Sequence, residues 1–182
     1  MRIRLFCLLT ALSVPYALAT PTEQTVYGLA EQVQILDPAF KAMAKLDTGA
    51  ETASLSARNI ERFINEKDGK EWVRFKIAAK GAPKKEFVMP LARISRIKRR
   101  AGDYDPEQDA NTATERPVIE LDVCMGQTLR RIEVNLTDRS AFTYPVLIGS
   151  NALSRFNALI DPSRTHTAGQ PSCSMTTANA AE

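Results

Sequence analysis

The sequence has little of the chemistry on which most hydrolases depend. Among its 182 residues there are three cysteines and one histidine, His166. A catalytic zinc ion usually takes about three protein ligands, commonly histidines, and a serine or cysteine triad requires a histidine base. The chain also lacks an H-E-x-x-H pattern and a glycine-rich phosphate loop before a helix. We therefore expect no metal and no cofactor, and a hydrolase of this composition has to rely on carboxylates.

Long apolar runs are missing except near the N-terminus. Arg2 and Arg4 precede an apolar stretch from Leu5 to Val14, and the small-residue pattern Ala17-Leu18-Ala19 follows it. This order is typical of a secretory signal peptide. We predict a signal peptide over residues 1–19 with cleavage after Ala19, a periplasmic or secreted mature protein, and no stable membrane insertion after cleavage. An uncleaved N-terminal anchor is the alternative.

A strong net charge of either sign is also absent. The formal net charge of +3 falls to 3 − 2 = +1 without the two arginines of the signal peptide. We therefore expect no nucleic-acid partner. A basic cluster from Arg93 to Arg100 is followed by acidic residues from Asp103 to Asp109. Such neighbouring runs indicate either a self-compensating exposed loop or a basic lip that guides an acidic peptide.

What the mature chain does contain is a hydrophobic period of two. Apolar and polar residues alternate in several stretches, which predicts half-buried β-strands. The inward residues of these stretches are Val33, Ile35, Val73, Phe75, Ile77, Ile119, Leu121, Val123, Ile132, Val134 and Leu136. Turn residues at 67–70 and 125–127 predict antiparallel hairpins, and Asn151 to Phe156 is the best candidate for a short helix. The pattern predicts one mainly β domain, a small barrel or sandwich, over residues 20–165.

Two polar stretches are predicted to be irregular. Residues from Ala101 to Arg116 lack an apolar period, so we expect an exposed mobile loop there, and Ile94 to Pro117 is our candidate for a flap. Residues 166–182 are predicted to be a disordered tail because they are polar and small.

Cys124 and Cys173 remain after signal cleavage. In an oxidising compartment they invite a disulfide, whereas a disordered tail would leave both thiols free.

One acidic turn is the candidate site. An apolar stretch from Phe40 runs into Asp47-Thr48-Gly49-Ala50, which places a carboxylate on a tight turn beside a hydroxyl group. Gly49 permits a close backbone approach and a positive φ. An ordinary Asx turn uses the same residue types, so the tripeptide alone does not establish a site.

Carboxylate chemistry at this turn needs a second acid. Two close aspartates share one proton because they cannot both ionise, so that one acts as base on water and the other polarises a carbonyl group. The sequence contains no second D-[ST]-G pattern. A homodimer with its two-fold axis beside Asp47 would supply the missing carboxylate from a second copy of the chain.

Several ordered blocks resemble a known family. The run from Lys45 to Ala57, with Val146-Leu147-Ile148-Gly149 and a short helix, resembles the retropepsin fold of dimeric aspartic proteases. It is more similar to bacterial retropepsin-like proteins long labelled ATP-dependent zinc proteases, which occur with RimK-type glutamate ligases. The further matching blocks are Asp68–Phe75, Glu115–Ile119, Leu136–Ser140 and Asp161–Ser163, within a resemblance that extends from Val26 to Arg164.

This resemblance implies a small closed retropepsin-like barrel with one short C-terminal helix. It makes Asp47 the catalytic aspartate and the residues from Thr48 to Ala50 the active-site turn. The supporting residues that it implies are Thr52, Ser54, Arg139 and Ser140, with Ile148 and Gly149 behind the turn. Ser150 departs from the pattern, because the family commonly carries an arginine there. The label as a zinc protease conflicts with the missing zinc ligands and nucleotide loop.

Two functional hypotheses follow from these residues. The first is an exported aspartic-type peptidase that acts as a homodimer on a peptide or isopeptide bond of a peptide or protein substrate. The glutamate ligases of related systems point by analogy to a glutamyl amide. The second hypothesis is a non-catalytic periplasmic peptide-binding or assembly module on the same barrel, with Asp47 as a turn residue or ligand contact. A metal-dependent hydrolase would rest on the old label alone.

Overall fold

The computed structural model describes residues 24–98 and 113–173. Its elements are β1 (Thr25–Gly28), β2 (Ala30–Ile35), β3 (Phe40–Asp47), β4 (Ala53–Ile64), β5 (Glu71–Ile77), β6 (Glu86–Pro90), β7 (Arg93–Lys98), β8 (Ala113–Met125), β9 (Thr128–Thr137), β10 (Val146–Gly149), α1 (Ser150–Arg155) and β11 (Ala158–Asp161). The predicted signal peptide lies outside the described residues. Within them, none of the helical structure has the length and apolar character needed to cross a membrane.

Six strands close into a barrel. Neighbours are hydrogen-bonded in the order β10, β3, β2, β8, β9 and β4, and β4 pairs back onto β10. β10 runs parallel to β3 and antiparallel to β4, so it fills the gap between them. The predicted class, a mainly β protein with a small closed barrel and one short C-terminal helix, is confirmed. Because closure removes free edges, β3 and β4 are held on both sides next to the turn that joins them.

The alternating strands line a single core, as the period of two predicts. All of the inward residues named from the sequence are buried, and the largest fully buried ones are Ile35, Phe75, Ile119, Leu121, Ile132 and Leu136. Gly69 and Gly126 lie in the turns from β4 to β5 and from β8 to β9, with φ of 66° and 60°. These left-handed values suit glycine because it has no Cβ. Both predicted hairpins are therefore confirmed.

Strand β4 changes its surroundings halfway along. Ala53 to Ala57 are buried beside β9 and β10, whereas the residues from Arg58 onward are largely exposed and pair with β5. The register shifts between Arg58 and Glu61, and Asn59 in that interval has a φ of 54°. Asparagine tolerates this left-handed value better than most residues. The bulge bends β4, and its outer half carries β5 and β6 beyond the ring.

The predicted loop and flap consist partly of strands. β7 pairs with β8 from Arg93 opposite Val118 to Lys98 opposite Ala113. Residues 113–116 therefore belong to a strand and not to a mobile loop, and the basic cluster begins in a strand as well. The alternation is missing here because charged residues fall on both faces of each strand: Arg93 and Arg96 are three positions apart in β7, and Glu115 and Arg116 are adjacent in β8. Residues 99–112, the rest of the predicted flap, lie outside the described residues.

The segment after β11 corrects the prediction of a tail that is disordered from His166 onward. The N–H of His166 donates to the carbonyl of Ala30 (2.8 Å), and a disulfide joins Cys173 to Cys124 on β8. This covalent link settles the pairing that the sequence left open. Residues 166–173 are thus ordered against the barrel, while residues 174–182 lie outside the described part of the chain.

A buried carboxylate fixes the same segment. Glu31 on β2 is fully buried and accepts hydrogen bonds from the N–H of Gly28 (2.6 Å), from both N–H (2.9 Å) and Oγ1 (2.6 Å) of Thr167, and from the N–H of Ala168 (3.0 Å). Burial by itself raises the pKa of Glu31, but these donors outweigh it, so the pKa lies below its ordinary value. The ionised form of Glu31 therefore holds the C-terminal segment on the barrel.

We expect Glu31→Gln to lower the free energy of unfolding by about 1–3 kcal/mol at about pH 7, because the amide replaces an ionised acceptor among three N–H donors. The contribution of Glu31 is present above its unfolded-state pKa, near 4.5. It is lost as the pH falls through the lower folded-state pKa. The difference between variant and wild type should therefore shrink on acidification.

Urea unfolding at about pH 7 and about pH 3 measures this difference. Glu61→Gln serves as the control, because Glu61 is exposed and forms only a long ion pair with Arg74 (3.7 Å). It should change stability by less than about 0.5 kcal/mol at either pH. A Glu31→Gln effect that stays the same size at both pH values would contradict the role assigned to the ionised carboxylate.

Candidate active site

Asp47 is the last residue of β3, where the strand gives way to a tight turn. Its Oδ1 accepts a hydrogen bond from the N–H of Gly49 (3.1 Å), and its Oδ2 lies 3.2 Å from Nζ of Lys45. The Asp47 side chain is 28% exposed. The carboxylate is therefore oriented by its own turn and remains accessible. Gly49 does not use the positive φ that glycine permits, and among the described residues a Cβ on it would meet only Asp47 Oδ1, at 3.4 Å.

The end of β10 packs directly behind this turn. Gly149 lies opposite Asp47 in the parallel pairing, and a Cβ on Gly149 would come within 2.7 Å of the carbonyl oxygens of Ala50 and Thr52. The N–H of Ser150 donates to that same Ala50 carbonyl (2.7 Å). Close backbone approach therefore requires glycine at 149. Ser150, where the family commonly has arginine, contributes to the turn through its backbone.

The other predicted residues divide between the site and its surroundings. Nδ2 of Asn135 on β9 donates to Thr52 Oγ1 (2.9 Å) and to the carbonyl of Ala53 (2.7 Å), which fixes the far end of the turn. Ile148 is fully buried in the barrel core. Ser140 is exposed, and its N–H donates to Asp138 Oδ1 (2.8 Å) in a turn of its own. Thr52 thus lies at the site, Ile148 supports it from the core, and Ser140 points elsewhere.

Arg139 is a buried cation beside the turn. Its Nη1 donates to Ser54 Oγ (2.9 Å) and its Nε to the carbonyl of Tyr144 (3.2 Å), and only 7% of the residue is exposed. Burial and the positive charge of Arg116 lower the pKa of Arg139, whereas the charge of Asp47 acts in the opposite direction. The two predicted residues Ser54 and Arg139 therefore form one unit, and the charge of Asp47 acts on its guanidinium group.

A cleft of about 700 Å³ opens beside the turn and is strongly basic. Its walls come from the loop after Asp47 and from β7, β8, β9 and β10. The charged residues in its lining are Glu51, Arg93, Arg96, Arg116 and Arg139. Sequence reasoning did not identify Arg116 or Asn135. Arg116 falls within the matching block Glu115–Ile119, but which side chains of that block face the cleft depends on how β7, β8 and β9 align.

A metal site needs several ligating side chains close together. No three His, Cys, Asp or Glu side chains in residues 24–98 and 113–173 come together as ligands. Asp47 has Lys45 as its nearest charged partner, which is a cation rather than a second ligand. The turn therefore offers a metal ion a single carboxylate with a cation beside it.

A barrel in which an Asp-Thr-Gly turn follows one strand, with an apolar strand ending in glycine and a short helix behind it, has the architecture of a retropepsin-like aspartic protease. Comparison with protein families agrees. The family model described as retropepsin-like aspartic endopeptidase RimB matches residues 26–171. The chain belongs to this RimB-like family, and the resemblance found in the sequence motifs is confirmed.

Individual relatives extend the comparison. The chain is 31% identical over 134 residues to a probable alpha-L-glutamate ligase of Shewanella pealeana, covering 73% of this chain and 27% of that protein. It is 30% identical over 128 residues to a protein of the same name from Desulfotalea psychrophila, covering 69% and 25%. The chain thus spans about a quarter of the length of these relatives. The solved structure of Lpg0085 from Legionella pneumophila, a protein of unknown function, matches with 35% identity and a TM-score of 0.63, covering 80% of this chain and 99% of that one.

Proposed function

We propose that the protein is an exported aspartic-type peptidase that hydrolyses a peptide or isopeptide bond with a water molecule held between the Asp47 carboxylates of a homodimer. The observation that carries the proposal is the position of Asp47, partly exposed and oriented by the Gly49 N–H at the end of β3. Membership of the retropepsin-like aspartic endopeptidases supports the reaction class. The absence of a second D-[ST]-G pattern supports two copies rather than one.

The chemistry follows from two carboxylates that share one proton. The ionised Asp47 takes a proton from water while the water oxygen bonds to the carbonyl carbon of the substrate. The protonated Asp47 of the second copy gives a hydrogen bond to the carbonyl oxygen. The resulting tetrahedral intermediate collapses as the C–N bond breaks and the amine leaves with a proton from the carboxyl pair.

Export is supported by two independent features. Residues 1–19 carry the charged, apolar and small-residue pattern of a signal peptide with cleavage after Ala19. The disulfide between Cys124 and Cys173 suits an oxidising compartment, because disulfides are rare in reducing cytosol. Both features favour a periplasmic or secreted mature protein.

A glutamyl-containing amide is the substrate that we favour. The printed name of the relatives is probable alpha-L-glutamate ligase, and about a quarter of each relative matches this chain. A peptidase domain related to part of a glutamate ligase suits a substrate built from glutamate. The basic cleft beside Asp47 has the charge that such a substrate requires.

The homodimer has a candidate contact surface. Within the described residues β1 and β11 form a separate two-stranded sheet, in which Val26 lies opposite Leu159. Val26 is 47% exposed and Leu159 is 46% exposed. Exposed apolar side chains that lie opposite each other on a short sheet favour association with another copy.

The dimer is tested with Leu159→Glu. We expect this variant to sediment as a monomer and to lose more than about tenfold in specific activity at concentrations where the wild type is dimeric. Val88→Glu is the matched control, because Val88 is 48% exposed but lies on β6, outside the ring. It should leave the dimer unchanged. A wild-type protein that is fully active as a monomer would overturn the paired-carboxylate proposal.

A second candidate function is a peptide-binding module without hydrolysis. The observation that favours it is the ion pair between Lys45 Nζ and Asp47 Oδ2, which engages the carboxylate in a single copy of the chain. In that case Asp47 would shape the turn or contact a ligand. Binding without cleavage of the same peptide distinguishes this candidate from the peptidase.

A further inference from the structure

The four arginines of the basic cleft fall into two classes. Arg93 donates to Glu133 through Nη2 (2.6 Å) and Nε (2.9 Å), and Nε of Arg96 lies 3.1 Å from Oε1 of Glu115. The charge of Glu51, which lines the cleft itself, also acts on Arg93. These two arginines are exposed, and their charges are balanced by carboxylates of the protein itself. They therefore need no further anion.

Arg116 and Arg139 are different, because neither forms an ion pair with a carboxylate of residues 24–98 or 113–173. Nη1 of Arg116 donates only to Oδ1 of Asn135 (3.3 Å), and its Nε is buried without a hydrogen-bond partner in the described part of the chain. Arg139 donates to the neutral oxygens of Ser54 and Tyr144, its Cζ lies 4.7 Å from the centroid of the Phe142 ring, and 93% of the residue is buried, since 7% is exposed. Two guanidinium groups with neutral partners thus face the same cleft.

Such an arrangement is costly for an empty protein. A buried cation loses its hydration, and neutral hydrogen-bond acceptors return only part of that energy. Burial lowers the pKa of both Arg116 and Arg139, and the two charges repel each other. Neutral partners nevertheless orient the planar groups and leave donors free for a ligand. An anion that enters the cleft would relieve both the repulsion and the lost hydration.

We propose that Arg116 and Arg139 form a carboxylate-binding subsite that receives the acidic side chain of a substrate residue next to the scissile bond. Ala50 and Thr52 of the loop that follows Asp47 line the cleft, although Asp47 itself does not, so the cleft adjoins the turn that carries the proposed reacting carboxylate. The apolar side chains of Ile94 and Leu147 in the same lining suit the methylene stem of such a residue. The position of this residue next to a scissile bond rests on the proposed function. The binding of its carboxylate by the two arginines does not depend on that function.

Asn135 has a positioning role in this subsite. Its Oδ1 accepts from Arg116, and its Nδ2 donates to Thr52 and Ala53 at the end of the active-site turn. One amide group therefore connects the orientation of the Arg116 guanidinium to the turn that carries Asp47. This link explains why a polar residue is buried at a position of β9 where its neighbours are apolar.

The subsite is tested by binding to the Asp47→Asn protein, which removes hydrolysis from the measurement. The probes are a short glutamate peptide and the same peptide with glutamine, measured by calorimetry. We expect the glutamate peptide to bind more tightly, and Arg116→Gln in this background to weaken it about 10- to 100-fold while changing the glutamine peptide less than about threefold. Arg116→Lys should recover part of the preference, because it restores the charge without the planar fork.

Arg96→Gln is the matched control, because it removes one arginine from the same cleft whose charge is already balanced by Glu115. It should keep the preference for glutamate over glutamine. Thermal unfolding of each variant shows whether it has kept the fold, and Arg116→Lys provides the measurement if Arg116→Gln does not fold. Equal affinity of the two peptides, or equal weakening of both by Arg116→Gln, would overturn the proposal.

Hydrolysis by the wild-type protein separates this inference from the proposed function. Binding that depends on Arg116, without cleavage of any glutamate peptide, would leave the subsite in place and overturn the peptidase. Cleavage with no preference for glutamate over glutamine would leave the peptidase in place and overturn the subsite.

Discussion

Asp47→Asn is expected to reduce hydrolysis about a thousandfold or more, because an amide accepts no proton from water and cannot share one with a second carboxylate. The fold should be kept, since Oδ1 of asparagine can accept the Gly49 N–H as the carboxylate does at 3.1 Å. The dimer should be kept as well, because the exposed apolar side chains that we assign to it lie on β1 and β11. Peptide cleavage is measured together with sedimentation and thermal unfolding of the same preparation.

Asp138→Asn is the matched control for this substitution. Asp138 also closes an Asx turn, through the N–H of Ser140 (2.8 Å), and forms an ion pair with Arg58 (3.0 Å). A general effect of replacing a turn carboxylate would appear in both variants, whereas a catalytic effect appears only at Asp47. Undiminished cleavage by Asp47→Asn would leave the turn with a structural or ligand-binding role and favour the peptide-binding module.

The parts of the fold that the sequence predicts are those decided by local pattern. The period of two in β2, β5, β8 and β9 identifies their buried faces, because alternate side chains of a strand point to opposite sides of the sheet. The turns at Gly69 and Gly126 are equally local, since positive φ is readily available to glycine. Asp47 was found in the same way, from an apolar stretch that ends at an acid, a hydroxyl group and a glycine.

The parts that local pattern does not predict depend on contacts between distant residues. β10 enters the ring between β3 and β4 about a hundred positions away from them, and only the family resemblance, which places Ile148 and Gly149 behind the turn, led us to expect that pairing. The order of residues 166–173 is a second case. Their polar composition predicted disorder, but the carboxylate of Glu31 and the sulfur of Cys124 hold them on the barrel.

The cleft shows the same limitation at the level of single side chains. The sequence offered a basic cluster from Arg93 onward as either a balanced loop or a basic lip, and it contained no sign of which charges are balanced. Strand alignment decides this, because it brings Glu133 to Arg93 and Glu115 to Arg96 but leaves Arg116 beside a neutral amide. A run of basic residues in the sequence is therefore a weak indicator of an anion-binding site. The stronger indicator is whether each basic side chain has an acidic partner in the folded protein.

The second large effect is expected at Gly149. Gly149→Ala should lower the free energy of unfolding by about 1–3 kcal/mol. It should also reduce the rate of cleavage by more than about tenfold, which corresponds to an increase of about 1 kcal/mol or more in the activation free energy. The added Cβ would lie 2.7 Å from the carbonyl oxygens of Ala50 and Thr52. Both contacts are with backbone, which cannot rotate away as a side chain can. The turn must therefore move as a whole, and the hydrogen bond from the Ser150 N–H to Ala50 (2.7 Å) must lengthen or break.

Gly49→Ala separates this steric effect from a general sensitivity of the turn to alanine. Its Cβ would meet only Asp47 Oδ1, at 3.4 Å, and Gly49 has no positive φ to lose, so we expect its stability to change by less than about 1 kcal/mol. Urea unfolding compares the two variants directly. Because Gly149 touches the turn from behind and not the cleft, a loss of cleavage in Gly149→Ala with unchanged peptide affinity would mean that the position of Asp47 has shifted. Equal stability of both alanine variants would contradict the close backbone packing from which this expectation is derived.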